Sequence, residues 1–285
     1  MSILSRLHIS EISTKNLTLR EDVELYRRHG LGIELWESKF SHANFEAEVD
    51  WLGEQDIHVS SLQPDVMTVF PSMSVLEPQD PDERVRLFCR AVDRFSRILK
   101  GGVMPTQTGA LPTGDEDLVW RTSVEAYKKI ADHAARRDIK IALEPLGASL
   151  MNRSTIVSNI VTALEMLDEV NHPNFGICAD SYNLWESTAL DQVSLCGEKL
   201  FLVHLADWRR PRNFHDRHIP GDGLIPNDEF LKRIQDIDYT GDYVVELFSD
   251  GVPNSLWSQD PESVVRRIRR GVAAAAAVAE SGTTE

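Results

Sequence analysis

Ile139-Lys-Ile-Ala-Leu-Glu-Pro-Leu146 drives a carboxylate into the end of an otherwise apolar, strand-forming run. A bare ionised carboxylate there costs several kcal/mol, so Glu144 calls for a metal, a cation or a proton as its partner. Three later runs repeat the pattern. Gly176-Ile-Cys-Ala-Asp180, Leu200-Phe-Leu-Val-His204 and Asp242-Tyr-Val-Val-Glu246 each close on a side chain able to ligate a metal. Together Glu144, Asp180, His204 and Glu246 read as one metal site.

Working outward from that stretch, apolar β-rich runs alternate with longer amphipathic segments, the pattern of βα units around a buried parallel sheet. Strands are expected over 7–13, 33–36, 57–62, 102–106, 140–146, 175–180, 200–205 and 243–248. Helices are expected over 19–29, 45–55, 81–100, 118–137, 155–170, 191–196, 228–237 and 261–279, and 64–78 is a long, turn-rich connection. About eight such units in roughly 250 residues predict an α/β fold, a single (β/α)₈ barrel over 1–280. No Pro/Gly/Ser linker divides the chain, and 281–285 reads as a flexible tail.

The 285 residues carry 42% hydrophobic content, enough for a large core, and 30 basic against 45 acidic residues give a formal charge of −15. That balance opposes phosphate backbones and anionic membranes, so nucleic acid and membrane partners are not expected and a small molecule is. Cys89, Cys178 and Cys196 are odd in number and widely spaced, which suits buried thiols of a reducing compartment. With no signal core and no apolar run long enough to span a bilayer, a cytoplasmic protein is expected.

In a barrel, residues at the C-terminal ends of different strands converge on one face, so the four ligand candidates would meet despite their distance in sequence. One such residue alone has ordinary explanations, as a helix cap or a satisfied core histidine. Four on consecutive strands argue for a site. Three oxygen donors and one imidazole suit a hard or borderline divalent ion: Mn²⁺ first, then Mg²⁺ or Co²⁺, with Zn²⁺ admitted. The loop Asp207-Trp-Arg-Arg-Pro-Arg-Asn-Phe-His-Asp-Arg-His-Ile-Pro-Gly-Asp-Gly223 crowds donors over the same face, and its Pro-Gly-Asp-Gly turn would hold His215, Asp216 and His218 in place. Trp36 and Lys39, on the second strand, join them as substrate-binding candidates; Tyr182, Trp185, Trp208 and Trp257 are further aromatics near the mouth. His8, His58 and His133 read as ordinary structural residues.

These pieces, Leu143-Glu-Pro145, Ala179-Asp-Ser-Tyr-Asn183, Val203-His-Leu-Ala-Asp207, Asp216-Arg-His-Ile-Pro-Gly-Asp-Gly223 and Val245-Glu-Leu-Phe248, resemble the xylose isomerase-like barrel superfamily. It includes sugar-phosphate isomerase/epimerases, ketose 3-epimerases, inosose dehydratases and endonuclease IV. The resemblance covers nearly the whole chain. It places the metal ligands on Glu144, Asp180, His204 and Glu246, and the arginine that follows the histidine in ketose epimerases on Arg210. Where relatives often carry a histidine three residues past the metal aspartate, this chain has Asn183, able to hydrogen-bond a hydroxyl but not to act as acid or base. The histidines that endonuclease IV needs on its early strands and at position 183 are missing, which disfavours phosphodiester cleavage.

The resemblance implies proton abstraction next to a carbonyl through an enediolate, with Glu144 and Glu246 as ligands that also serve as acid and base. A sugar isomerase or epimerase leads. The alternative is a lyase that uses the same enolate for β-elimination, as in inosose dehydration or deglycosylation of 3-keto-C-glycosides. A non-catalytic sugar-binding subunit is a remoter reading. A homo-oligomer is expected, or a hetero-oligomer if the chain is a lyase subunit.

Overall fold

The structure is a computed structural model describing residues 2–210 and 215–281. Eight parallel strands close into a barrel in sequence order: β1 (Leu7–Ser10), β2 (Gly32–Trp36), β3 (Val59–Gln63), β4 (Val103–Thr106), β5 (Lys140–Leu143), β6 (Phe175–Asp180), β7 (Leu200–Leu205) and β8 (Tyr243–Val245). Pairing of β1 with β8, Leu7 opposite Tyr243 and His8 opposite Val244, completes the ring. The expectation of a single (β/α)₈ barrel is met.

Helices α1 (Leu19–Arg28), α2 (Phe45–Gly53), α3 (Pro81–Phe95), α4 (Glu116–Ala135), α5 (Ile160–Val170), α6 (Ser181–Glu186), α7 (Asn227–Gln235) and α8 (Pro261–Ser281) surround it. Their starts follow local chemistry. Thr18 and Glu21 form a reciprocal capping box on α1, and Asp80 caps α3 just ahead of a proline in its first turn. Ser281 closes α8, and 282–285 lie outside the described residues.

Several boundaries differ from the sequence reading for local reasons. Strands β5 and β8 stop just before Glu144 and Glu246 and do not run on to 146 and 248. Pro145 has no N–H to extend a ladder, so the chain leaves the sheet as the carboxylate reaches the rim. Helix α5 begins at Ile160 and not at 155, because Thr155, Ile156 and Val157 are β-branched and are bonded outside a helix: Thr155 bridges to Met151, and Leu146 N–H donates to Val157 O at 3.1 Å. The segment expected as a helix over 191–196 is a 3₁₀ helix, Leu190–Leu195, and α6 ahead of it was not anticipated.

Side-chain alternation builds the site. Val103, Ala142, Cys178, Leu202 and Val244 form a small apolar cluster of their own, separate from the main core between strands and helices. Two residues beyond the last four of them stand Glu144, Asp180, His204 and Glu246, so the period of a strand places the polar set one layer above apolar packing.

Candidate active site

Glu144, Asp180, His204 and Glu246 are all buried, and one ligand atom from each lies within 4.8 Å of the others. Each arrives on a different strand end. Asp180 ends β6 and caps α6, its Oδ1 accepting from Tyr182 N–H at 2.9 Å. Asp180 pairs in register with His204. Glu144 and Glu246 continue the ladder by one bond each, their N–H groups donating to Thr106 O and Leu205 O.

The imidazole of His204 is oriented from behind by Glu34, a fully buried residue on β2. Its Nε2–H donates to Glu34 Oε2 at 3.0 Å, and Ser61 Oγ donates to the same oxygen at 2.7 Å. Nδ1 then faces into the cage, 3.9 Å from Glu144 Oε1 and 3.7 Å from Glu246 Oε2, where it is buried with no hydrogen-bond partner. A metal-ligating histidine is commonly held this way, by a carboxylate on its other ring nitrogen. Burial opposes ionisation of Glu34, yet His204 and the hydroxyls of Ser61 and Ser10 hold its carboxyl below the ordinary value.

Arg217 is the buried guanidinium of the site. Its Nη2 lies 2.8 Å from Asp180 Oδ2 and its Nη1 2.8 Å from Glu246 Oε2. Burial, with Asp180 nearby, raises Glu144 above its usual pKa, and burial, with Glu144 and Glu34 nearby, pushes Glu246 up to about 8. Among the described residues, Glu34, Glu144, Asp180 and Glu246 are four carboxylates beside the guanidinium of Arg217. The surplus of buried carboxyl groups and the partnerless Nδ1 fit a divalent cation held by Glu144, Asp180, His204 and Glu246, which would take the place of the protons these groups otherwise hold.

Two glutamines steady the glutamates: Gln107 Nε2 donates to Glu144 Oε2 at 2.7 Å, and Gln63 Nε2 to Glu246 Oε1 at 3.3 Å. Asn183 Nδ2 donates to both Glu144 Oε1 and Asp180 Oδ2, at 3.1 and 2.8 Å, while its Oδ1 accepts from Gly147 N–H. Above them opens a cavity of about 430 Å³, of the size that takes small ligands. Its wall includes the aromatic rings of Trp36, Tyr182, His215, Phe248 and Trp257 and the apolar side chains of Met67, Met73, Val75, Leu146 and Leu150.

The remaining candidates are spread more widely. His215 stacks on Phe248 at 5.0 Å and lines the cavity. His218 sits with Nε2 3.3 Å from Asp216 Oδ1 and is not part of the cavity wall. Arg210 is exposed, 5.7 Å from the Trp208 ring, and contributes nothing to the wall; its neighbours 211–214 lie outside the described residues. Lys39 follows β2 in a short 3₁₀ turn and points away, its Nζ donating to Asp22 Oδ2 at 2.5 Å, Leu17 O at 2.8 Å and Thr14 O at 3.2 Å. All three of its protons are engaged.

Glu34, Gln63, Gln107 and Arg217 were not singled out from sequence. Glu34 carried a signal, an acid inside the apolar run Gly32-Ile-Glu-Leu-Trp36, of the same kind as Glu144. Arg217 stood inside the Asp216-Arg-His218 motif, masked by the histidine beside it. Asp207 holds that loop: its two carboxylate oxygens accept from the N–H groups of Trp208, Gly221, Gly223 and Ile225. Gly223 must lack a side chain here, since a Cβ would fall 2.3 Å from Asp207 Oδ1.

Comparison with known proteins agrees with this architecture. The chain is 31% identical over 134 residues to an L-ribulose 3-epimerase of Methylomonas sp. (strain DH-1), a match covering 46% of this chain and 43% of that protein. It is 28% identical over 153 residues to a 3-dehydroshikimate dehydratase of Pseudomonas putida, 48% of this chain and 22% of the other. The chain therefore spans less than half the length of these curated relatives. A solved structure of the IolI protein with a zinc atom superposes with a TM-score of 0.79 at 22% identity, over 95% of this chain and 98% of that one. The family model for the xylose isomerase-like TIM barrel matches residues 23–281, and with the closed barrel and its strand-end acids in place the chain belongs to that family.

Proposed function

We propose that the protein is a divalent-metal-dependent sugar isomerase or epimerase that moves a proton next to a carbonyl through an enediolate. The observation that carries the reading is the pair Glu144 and Glu246, two buried carboxylates flanking His204 Nδ1, both with raised proton affinity and each steadied by its own glutamine. A general base works best with a pKa near the operating pH, and burial moves both residues toward it. A divalent ion, Mn²⁺ in the first instance, would polarise the carbonyl and spread the charge of the enediolate.

In this reading one glutamate removes the α-proton and the other returns a proton on the opposite side of the substrate. Asp180 and His204 act as ligands. Arg217 fixes the geometry of Asp180 and Glu246, and Asn183 does the same for Glu144 and Asp180. His215, Trp36 and Tyr182 form the wall against which a sugar ring stacks. For Arg210, His218 and Lys39 the proposed substrate contact has no support in their positions.

A second reading, β-elimination by the same enolate, is favoured by the apolar part of the wall. Met67, Met73, Val75, Leu146 and Leu150 offer a surface that a free sugar, hydroxylated on every side, does not need. One experiment tests both readings. The metal-loaded protein is incubated in D₂O with ketoses, keto-inositols and 3-keto-glycosides, and deuterium at the substrate α-carbon is followed together with product. Exchange with epimer formation supports the first reading, and exchange with loss of a β-substituent the second. Binding without exchange of any α-proton refutes both and leaves a sugar-binding subunit.

A further inference from the structure

At the opposite end of the barrel, where strands begin, three side chains from three strands meet. His8 is the second residue of β1, while His58 and Asp242 immediately precede β3 and β8. One ligand atom from each lies within 4.8 Å of the others. His58 Nε2 is 2.8 Å from Asp242 Oδ2, His8 Nδ1 is 3.9 Å from Asp242 Oδ1, and the two imidazole rings meet edge to face at 4.9 Å. Strand β2 runs between β1 and β3, and the rings approach across it because Gly32 has no side chain. A Cβ at that position would fall 2.3 Å from His8 Nε2 and 2.7 Å from His58 O.

The tautomer of His8 is set by the backbone. Its Nδ1 lies 3.0 Å from Arg6 O, so Nδ1 carries the hydrogen and donates it. That leaves Nε2 as a lone pair on a residue only 2% exposed, with no hydrogen-bond partner. Buried polar atoms without partners are rare and call for an explanation. An ion would therefore be met by Nε2 and not by Nδ1, the nitrogen that lies 3.9 Å from Asp242 Oδ1, so the exposed His58 ring and the Asp242 carboxylate must turn toward it.

We infer that His8, His58 and Asp242 form a second metal site, on the floor of the barrel, for a borderline divalent transition ion such as Zn²⁺, Ni²⁺ or Cu²⁺. Two imidazoles and one carboxylate make the donor set that these ions prefer, with open positions left for water. Ligand pairs on one such ion stand about 3 Å apart, given bonds of roughly 2.0–2.2 Å, so the cluster must tighten slightly. The His58 ring is 64% exposed and supplies that freedom. The neighbouring guanidinium of Arg6 is tied to Gly241 O and Tyr239 O, at 2.6 and 3.0 Å. An ion here would clip β3 to the β1–β8 seam that closes the barrel. Residues at this face of such barrels serve stability. The inference does not rest on the proposed reaction.

The test is a Zn²⁺ titration of the full chain, read by calorimetry and by metal content after desalting, with melting temperature in parallel. Wild type should bind one equivalent more than either His58→Ala or Asp242→Asn, with turnover unchanged. A Zn²⁺-induced rise in melting temperature of a few degrees should disappear in the same variants. Because His58 is largely exposed, His58→Ala should fold normally, and its circular dichroism checks this. A wild type that binds no more Zn²⁺ than His58→Ala overturns the inference, as does an unchanged melting-temperature response to Zn²⁺ in that variant.

Discussion

The residues of the proposed centre divide by what each loses on substitution. Glu→Gln keeps size and one oxygen donor but removes the basic carboxylate, so Glu144→Gln and Glu246→Gln should retain some metal yet lose at least about 10²-fold in turnover, the range of a general base. Asp180→Asn should instead fail through loss of metal. If both glutamine variants, with metal bound, turn over near the wild-type rate, the two-glutamate mechanism is wrong. Lys39 teaches a different lesson. Its ammonium belongs to a buried cluster with Asp22, whose carboxyl is pushed up to about 6 by burial, with Lys39 pulling the other way. The sign follows directly. Between the ordinary aspartate value and about 6 the folded protein binds a proton that the unfolded chain has released, so this contribution to stability falls as pH rises through that window. Wild type should therefore gain on Asp22→Asn as pH is lowered from 6.5 to 4, by up to about 3 kcal/mol. Denaturant melts of the pair across that range measure it, and two parallel curves would show that Asp22 titrates normally.

At the scale of elements, legibility followed periodicity. The alternation of apolar runs with amphipathic stretches was readable along the whole chain because both faces of a parallel sheet are buried and its strands are written as continuous apolar runs. The three strand-end acids and the histidine stood out for the same reason, as polar residues interrupting those runs. What was not readable depends on contacts between distant residues: the tautomer that Glu34 imposes on His204, and the two glutamines on Glu144 and Glu246. The connection between β3 and α3 is another such case. It shapes much of the cavity wall, and it is held from below by Arg84, which is 1% exposed in α3. Arg84 donates to Thr68 O at 2.8 Å, Thr68 Oγ1 at 2.6 Å and Pro78 O at 2.8 Å, and burial lowers its pKa to about 10. Arg84→Met, similar in length but without donors, should cost about 2–4 kcal/mol. Proteolysis should then cut first within 64–80, and KM should rise more than kcat falls, because the wall and not the cage is loosened. An unchanged cleavage pattern would show that the loop holds itself.

For the whole molecule, the question is whether the barrel depends on the ion it is proposed to bind. The core argues that it does not. Apolar packing runs unbroken between the ring of strands and the surrounding helices, and the small cluster of Val103, Ala142, Cys178, Leu202 and Val244 fills space one layer below the ligands. Burial of that extent, at about 25 cal/mol for each Å² of apolar surface, far outweighs what one ion adds. The cage is not neutral without a cation, but it has its own means of limiting the penalty: Arg217 bridges Asp180 and Glu246, and Glu144 and Glu246 hold protons more tightly than ordinary carboxylates. Removal of metal should therefore be tolerated structurally and fatal chemically. Dialysis against a chelator is expected to leave circular dichroism unchanged and to lower the melting temperature by no more than several degrees. Deuterium exchange into substrate should stop altogether, and Mn²⁺ or Co²⁺ should restore it in proportion to the metal bound. Unfolding on chelation would make the ion part of the fold, and it would move the stability of this barrel from its packing to its charges. Full turnover in protein shown to be metal-free would remove the ion from the chemistry and leave the guanidinium of Arg217, beside Asp180 and Glu246, to offset the charge of an enediolate.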